Sequence, residues 1–240
     1  MKEKSKSFKI VFANLIAFIV IMILLIISIF YLPINSDYQI SIAMVLIVIL
    51  MIGVMKFKPR IMYYLENLLF HRLKSQQGPE IKSNISPESN AFYGKLMNDN
   101  FETYYKSNDF TLHYKYVKDK KNWILKRPML IVFVILHQPY IDFQDKQVVN
   151  EINNLENKLY KMKKRIVNYS IFILKSSSKL TNKDKESCDY VSFTKVGKRS
   201  IVNINAIYNI TKKSYYFLYS DTYTPNTYYN YAVDFLKSII

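Results

Sequence analysis

Two long runs without a charged residue, Ile10 to Leu32 and Tyr38 to Met55, constrain this chain more than any other feature. The first is 23 residues long. At about 1.5 Å per residue in a helix, that crosses a hydrocarbon layer of roughly 30 Å. The second, of 18 residues, sits at the short end of the same range. Only Pro33, Ile34, Asn35, Ser36 and Asp37 separate them, which suits a tight turn, and Tyr31 and Tyr38 flank it where aromatic rings favour a membrane interface. Lys2, Lys4, Lys6 and Lys9 precede the first run, Lys56, Lys58 and Arg60 follow the second, and the turn has neither Lys nor Arg. The bias of cytoplasmic flanks towards basic residues then predicts a transmembrane hairpin, 10–32 and 38–55, with both termini in the cytoplasm. A cleaved signal peptide fits less well, because the apolar core is too long and no small-x-small cleavage site follows.

The rest of the chain divides around this hairpin: a basic segment 1–9 before it, a juxtamembrane helix and linker over 56–90, and a domain over 91–240. Ile61, Leu65, Leu68, Leu69 and Leu73 recur at helical spacing between Lys58 and Ser75, while Gly78, Pro79 and Pro87 punctuate the linker. Helical spacing resumes from Ala91 to Lys106. Phe110 to Val117 alternates as a strand. Pro128 to Leu136 is almost purely apolar and too short to span a membrane, so it reads as a strand buried on both faces. A helix over 144–165 and an apolar strand over 166–174 complete a βαβ unit. A polar loop over 176–187 leads to strands at 190–196, 200–210 and 214–220, the first two joined by a turn at Gly197. Thr224 and Pro225 then open a C-terminal helix. The expected fold is a mixed α/β (α+β) domain of about six strands with a βαβ unit and a C-terminal helix.

The formal net charge is +16. Such a balance draws a membrane-side domain towards anionic lipid headgroups; nucleic acid, the other common acidic partner, is not expected here, and a lysine-, asparagine- and tyrosine-rich composition accounts for part of the charge. The single Cys188 excludes an internal disulfide and any cysteine-clustered zinc site, and its place near a strand suits a small apolar filler. No glycine-rich phosphate loop or serine nucleophile elbow is present, so neither a cofactor nor a metal is expected.

Three groups of residues stand out as site candidates. His137 follows the central apolar strand and precedes Asp142, at the strand end where α/β folds gather ligands. His113, by contrast, falls on the polar side of its strand. Lys158, Lys161, Lys163, Lys164 and Arg165 crowd one helix end, where cations suit the helix dipole and would also meet lipid or nucleic-acid phosphates. Lys118, Lys120, Lys121, Lys126 and Arg127 form a second basic cluster. Tyrosine is abundant, 21 residues, and crowds the C-terminal quarter. Asn203, Asn205, Asn209, Tyr215 and Tyr219 are the expected partner surface, since tyrosine is enriched at interfaces.

These features point first to a non-enzymatic, membrane-tethered cytosolic domain that binds another protein, its hairpin serving as anchor or as a homo-oligomerisation element. The alternative is a ligand-sensing two-helix effector that perturbs the bilayer. The layout of the chain, a two-helix hairpin joined to a β-containing cytosolic domain, is similar to that of bacterial anti-phage effectors and of membrane-bound adaptor proteins, a likeness of arrangement alone. An enzyme acting at the membrane surface through His137 and Asp142 is the third reading.

Overall fold

The computed structural model describes residues 2–118, 124, 126–196 and 199–240, with the backbone alone described for residues 2–8, 195 and 196. It divides into two compact units, Met1–Arg72 and Leu73–Ile240. The turn at Gly197, and Lys120 and Lys121 of the second basic cluster, lie outside the described residues.

The first unit contains α1 (Lys2–Ile29) and most of α2 (Ser36–Ser75). Asn35 starts α2: its side-chain Oδ1 accepts from the Asp37 N–H at 3.0 Å, and its carbonyl accepts from Tyr38 and Gln39. Both helices are long and apolar enough to cross a membrane. Most of their apolar side chains are exposed along the apolar runs, Leu24 at 60 % and Met44 at 63 % among them. The helices meet where one residue lacks a side chain. A Cβ on Gly53 would stand 2.4 Å from the Phe18 ring, closer than any real contact, and Phe18 also lies against Phe57 with ring centroids 6.0 Å apart. Small residues admit this kind of close helix approach. The sequence suggested a separate helix after Met55. Instead α2 is one helix of 40 residues with Pro59 inside it. Proline removes one backbone donor, but the helical spacing of Ile61, Leu65 and Leu69 beyond it carries the helix on.

The second unit is a mixed sheet of eight strands among the described residues: β1 (Ile81–Lys82), β2 (Glu102–Lys106), β3 (Phe110–Val117), β4 (Met129–Leu136), β5 (Asn168–Ser177), β6 (Ser192–Val196), β7 (Arg199–Asn209) and β8 (Ser214–Phe217). The order is β1-β8-β7-β5-β4-β3-β2, with β6 beside the first half of β7. Strands β4, β5 and β7 run parallel at the centre and the rest pair antiparallel. All eight residues of β4 are buried, as its unbroken apolar run requires. Helix α4 (Lys146–Lys161), capped by Asp145, is the crossover from β4 to β5. Its Val148, Leu155 and Leu159 pack against Leu112, Val132 and Val134 on one face of the sheet.

On the other face, Phe133 of β4 is the hub of an aromatic cluster. It stacks on Phe172 at 4.6 Å and meets Phe92 of α3 (Asn90–Asn98), Phe101 and Phe235 of α6 (Thr227–Ile239). Cover on this face explains why the first half of β3 is buried throughout rather than half-buried. His113, expected on a polar side, is therefore inside.

Several element assignments change. The helical stretch expected over 91–106 ends at Asn98, and Glu102–Lys106 forms β2, because Tyr104 packs edgewise on Tyr114 and Tyr105 stacks on Phe110, both side chains of β3. The expected loop at 176–187 contains α5 (Asn182–Cys188), opened by a capping box between Thr181 and Asp184. Asn226, not Thr224, caps α6, its Oδ1 accepting from the Tyr229 N–H at 2.8 Å.

The expected linker is also part of the fold. Ile81 and Lys82 pair with β8, and tyrosine hydroxyls hold the carbonyls around them: Tyr219 donates to Pro79 at 2.7 Å, Tyr208 to Ser83 at 3.3 Å and Tyr215 to Ile85 at 2.8 Å. A Cβ on Gly78 would lie 2.6 Å from the Tyr219 ring, so glycine is what lets this segment close on the sheet.

Candidate functional site

Of the five basic residues around the end of α4, the structure gathers three into one cleft. Helix α4 ends in a complete Schellman turn: the Lys163 N–H donates to the Tyr160 carbonyl at 2.9 Å and the Lys164 N–H to the Leu159 carbonyl at 3.0 Å. Lys163 makes this turn with φ 58°, the left-handed conformation in which glycine is favoured. The reversal carries Lys163, Lys164 and Arg165 to the start of β5. Strand β7 runs parallel to β5 in the register Asn168↔Ser200, and so brings Arg199 to the same end of the sheet. Together these residues line a cleft of about 790 Å³ with Tyr160, Ile166, Val167, Tyr169 and Glu156.

Among the described residues Glu156 is the single carboxylate in that lining. Its Oε1 accepts from the Tyr169 hydroxyl at 2.6 Å and from Arg199 Nη1 at 3.2 Å. Burial, with the Glu156 carboxylate beside it, pushes the Tyr169 phenol well above the usual tyrosine range. The hydroxyl therefore stays protonated and keeps donating. Lys164 Nζ lies 5.3 Å from the centre of the Tyr116 ring. Lys163 and Arg165 are exposed, and among the described residues no carboxylate pairs with them. Lys158 and Lys161 point elsewhere: Lys158 sits over the Tyr104 ring at 5.2 Å, and neither lines the cleft. Lys118 at the end of β3, and Lys126 and Arg127 before β4, belong to the same end of the sheet, because Val117 pairs with Met129 and Met129 with Asn168.

The other candidates assemble differently. His137 Nε2 lies 2.8 Å from Thr111 Oγ1, whereas Asp142 is exposed and its Oδ1 accepts from the Gln144 N–H at 3.1 Å. Each is engaged separately, and among the described residues no hydrogen bond joins them. Near His137 the structure buries His113, 2 % exposed, with Nδ1 3.1 Å from Thr103 Oγ1, the ring beside Tyr93, and Nε2 without a partner among the described residues. Burial chiefly, with the Lys106 charge adding to it, lowers its pKa to about 4. Cys188 is fully buried, and burial pushes its thiol far above the ordinary range, so it is no nucleophile. Among the described residues no group of three or more His, Cys, Asp or Glu side chains is placed to hold a metal.

The expected tyrosine and asparagine surface is mostly interior. Asn205, Asn209, Tyr215 and Tyr219 are buried and Asn203 half-buried. The Asn205 amide donates to the Ser187 and Tyr190 carbonyls, both at 3.1 Å, and the tyrosines hold the 78–85 segment. The Asn205 amide nitrogen and the tyrosine hydroxyls bind the domain to itself, whereas Asn203 Oδ1 and Asn205 Oδ1 are buried with no hydrogen-bond partner among the described residues. Cover from α5 on one side and from residues 78–85 on the other, neither anticipated from the sequence, is what encloses them.

Sequence reasoning found Lys163, Lys164 and Arg165 but missed Arg199, Glu156, Tyr160 and Tyr169. Arg199 had no local signal, since only the β5–β7 register places it. Glu156 and Tyr160 sit one helical turn apart, a spacing visible in the sequence but without meaning until the cleft is known. No protein-family model matches the chain, and comparison with curated proteins and with solved structures gave no match.

Proposed function

We propose that this protein is a membrane-anchored regulatory domain that acts by binding rather than by catalysis, with α1 and the apolar part of α2 crossing the bilayer and the α+β unit working on the cytoplasmic side. The observation that carries the reading is the exposure of apolar side chains along both helices, Leu24, Val45, Met44 and Met51 among them. At about 25 cal/mol per Å² of apolar surface left in water, such helices need a lipid or protein environment. The lysines at 2, 4, 6, 9, 56 and 58 favour the cytoplasmic orientation.

The test is a cysteine-accessibility map. Because Cys188 is buried, it is silent to reagents in the folded protein. A Cys188→Ser background then receives a single cysteine at Tyr140, which is 80 % exposed, or at Asp37 in the turn. The reading expects extraction-resistant membrane association, labelling of the Tyr140→Cys protein by an impermeant maleimide only after lysis, and labelling of the Asp37→Cys protein in intact cells or spheroplasts. Release by alkaline carbonate, or the reverse labelling pattern, overturns it.

A ligand-sensing effector is the second reading. It is favoured by the cleft beside α4 and by the continuity of α2 through Pro59 to Ser75. Vesicle leakage that requires both helices and an added anion would support it over a static anchor.

A further inference from the structure

We propose that the cleft at the end of α4 is a binding site for a multiply charged phosphate group, held by Lys163, Lys164, Arg165 and Arg199, with Tyr160 as the ring on which the rest of a small ligand lies. The proposal stands on the geometry of the second unit and does not depend on the membrane reading. Its volume, about 790 Å³, falls within the range of small-molecule sites, roughly 300 to 1,000 Å³. Its lining has the composition such a ligand needs: four cations, the apolar Ile166 and Val167, and Tyr160, which is 78 % exposed.

The bland explanation is that cations gather at a helix C-terminus because the dipole favours them. Three observations go beyond it. The terminal carbonyls are already taken by backbone donors, Lys158 by Met162, Tyr160 by Lys163 and Leu159 by Lys164. Arg199 comes from another strand, where the α4 dipole gives no reason for a cation. Lys163 occupies a left-handed position at which glycine is cheaper, so this cation stands in the cleft at a conformational cost.

Glu156 fits the same purpose. Shared between Arg199 Nη1 and the Tyr169 hydroxyl, it fixes the guanidinium, whose remaining N–H groups present the forked geometry that suits phosphate oxygens. Lys118, Lys126 and Arg127 at the same sheet end add a long-range attractive field. A concave site of this size matches a compact ligand better than an extended nucleic-acid strand, which needs a groove tracking many phosphates. The shared chemistry is a clustered di- or triphosphate, whether from a soluble nucleotide or from a phosphorylated inositol lipid headgroup.

The experiment uses the full chain in neutral-detergent micelles at roughly physiological salt. A fluorescent ATP analogue is followed by anisotropy, and inorganic pyrophosphate, inositol trisphosphate and a single-stranded RNA oligonucleotide serve as competitors. The proposal expects saturable binding that pyrophosphate displaces. Lys163→Gly weakens it about tenfold, the loss expected for one charge-assisted contact, while raising the thermal midpoint. Lys163→Arg keeps the affinity, and Lys183→Ala, at an exposed side chain of α5, leaves it unchanged. Displacement by inositol trisphosphate ahead of ATP assigns the site to a lipid headgroup, and the reverse order assigns it to a soluble nucleotide. Absence of displaceable binding overturns the proposal, as does a Lys163→Gly protein that binds as well as Lys183→Ala. So does an oligonucleotide that displaces the probe at far lower phosphate concentration than pyrophosphate, which would identify a nucleic-acid site.

Discussion

Acidification below about pH 6.5 should destabilise the α+β unit through His113. His113 lies on β3 under α3, 2 % exposed, and among the described residues its Nε2 has no partner that would accept from an imidazolium. Its pKa falls from 6.5 to about 4, by burial first and by Lys106 second. In the unfolded chain the imidazole returns to its ordinary value, so between these two pH values the unfolded state binds the proton and the folded state does not. Stability is therefore fully present above about pH 6.5 and is lost as pH falls through that window. At about 1.4 kcal/mol for each pH unit of difference, the whole effect is about 3 kcal/mol, with about 2 kcal/mol already lost at pH 5. That is a large share of the stability of an ordinary domain.

The buried thiol of Cys188 supplies the assay. Urea unfolding of the full chain in micelles is read by the release of Cys188 to a pyridyl disulfide, a reagent that works in mild acid. The midpoint is compared between pH 7 and pH 5 for the native protein and for His113→Gln. Glutamine keeps an amide for Thr103 and does not titrate, so the variant should lose about 2 kcal/mol less over this interval, whatever its stability at pH 7. Equal losses in the two proteins would show that His113 carries no such linkage and that its burial has been misread.

Three further substitutions follow from packing. Phe133→Ala removes the hub of the five-ring cluster around β4 and should cost about 3–5 kcal/mol by urea unfolding, enough to leave a domain of ordinary stability barely folded. Tyr215→Phe leaves the Ile85 carbonyl without its donor and should cost about 1 kcal/mol, with faster hydrogen exchange confined first to the 78–85 segment and β8. Gly53→Leu drives a side chain into Phe18 and should weaken pairing of α1 with α2, read as loss of cross-linking between cysteines placed on the two helices, while Cys188 stays protected.

How much of this was legible in the sequence depended on whether the deciding interactions were local. The central strand β4 was readable because eight consecutive apolar residues, too few to cross a membrane, have one stable place, buried on both faces. The βαβ unit followed from the spacing around α4. Segment 78–85 was not readable as part of the sheet. Its own residues carry the glycine and prolines of a linker, and its stability comes from the Tyr208, Tyr215 and Tyr219 hydroxyls more than 120 positions away. The same tyrosines were misjudged as a partner surface for that reason: a tyrosine whose hydroxyl meets an internal carbonyl and one whose hydroxyl meets a partner look alike until the covering segment is known. The capping box at Thr181 and Asp184 was present in the letters and simply outweighed by the surrounding lysines.

The basic cleft shows the same division within one site. Lys163, Lys164 and Arg165 are adjacent, so their charge was visible. Whether they amount to more than a solvated helix end turns on Arg199 and Glu156, which the parallel register of β5 and β7 and the path of α4 bring together. Local charge reports an amount, and topology decides whether it converges. Four cations spread over a surface would be screened by salt within about 10 Å. Placed around one concave space whose one carboxylate among the described residues is already engaged, they would act together on the proposed phosphate ligand, and Lys163 holds its place there in a backbone conformation that costs a non-glycine residue about 1 kcal/mol.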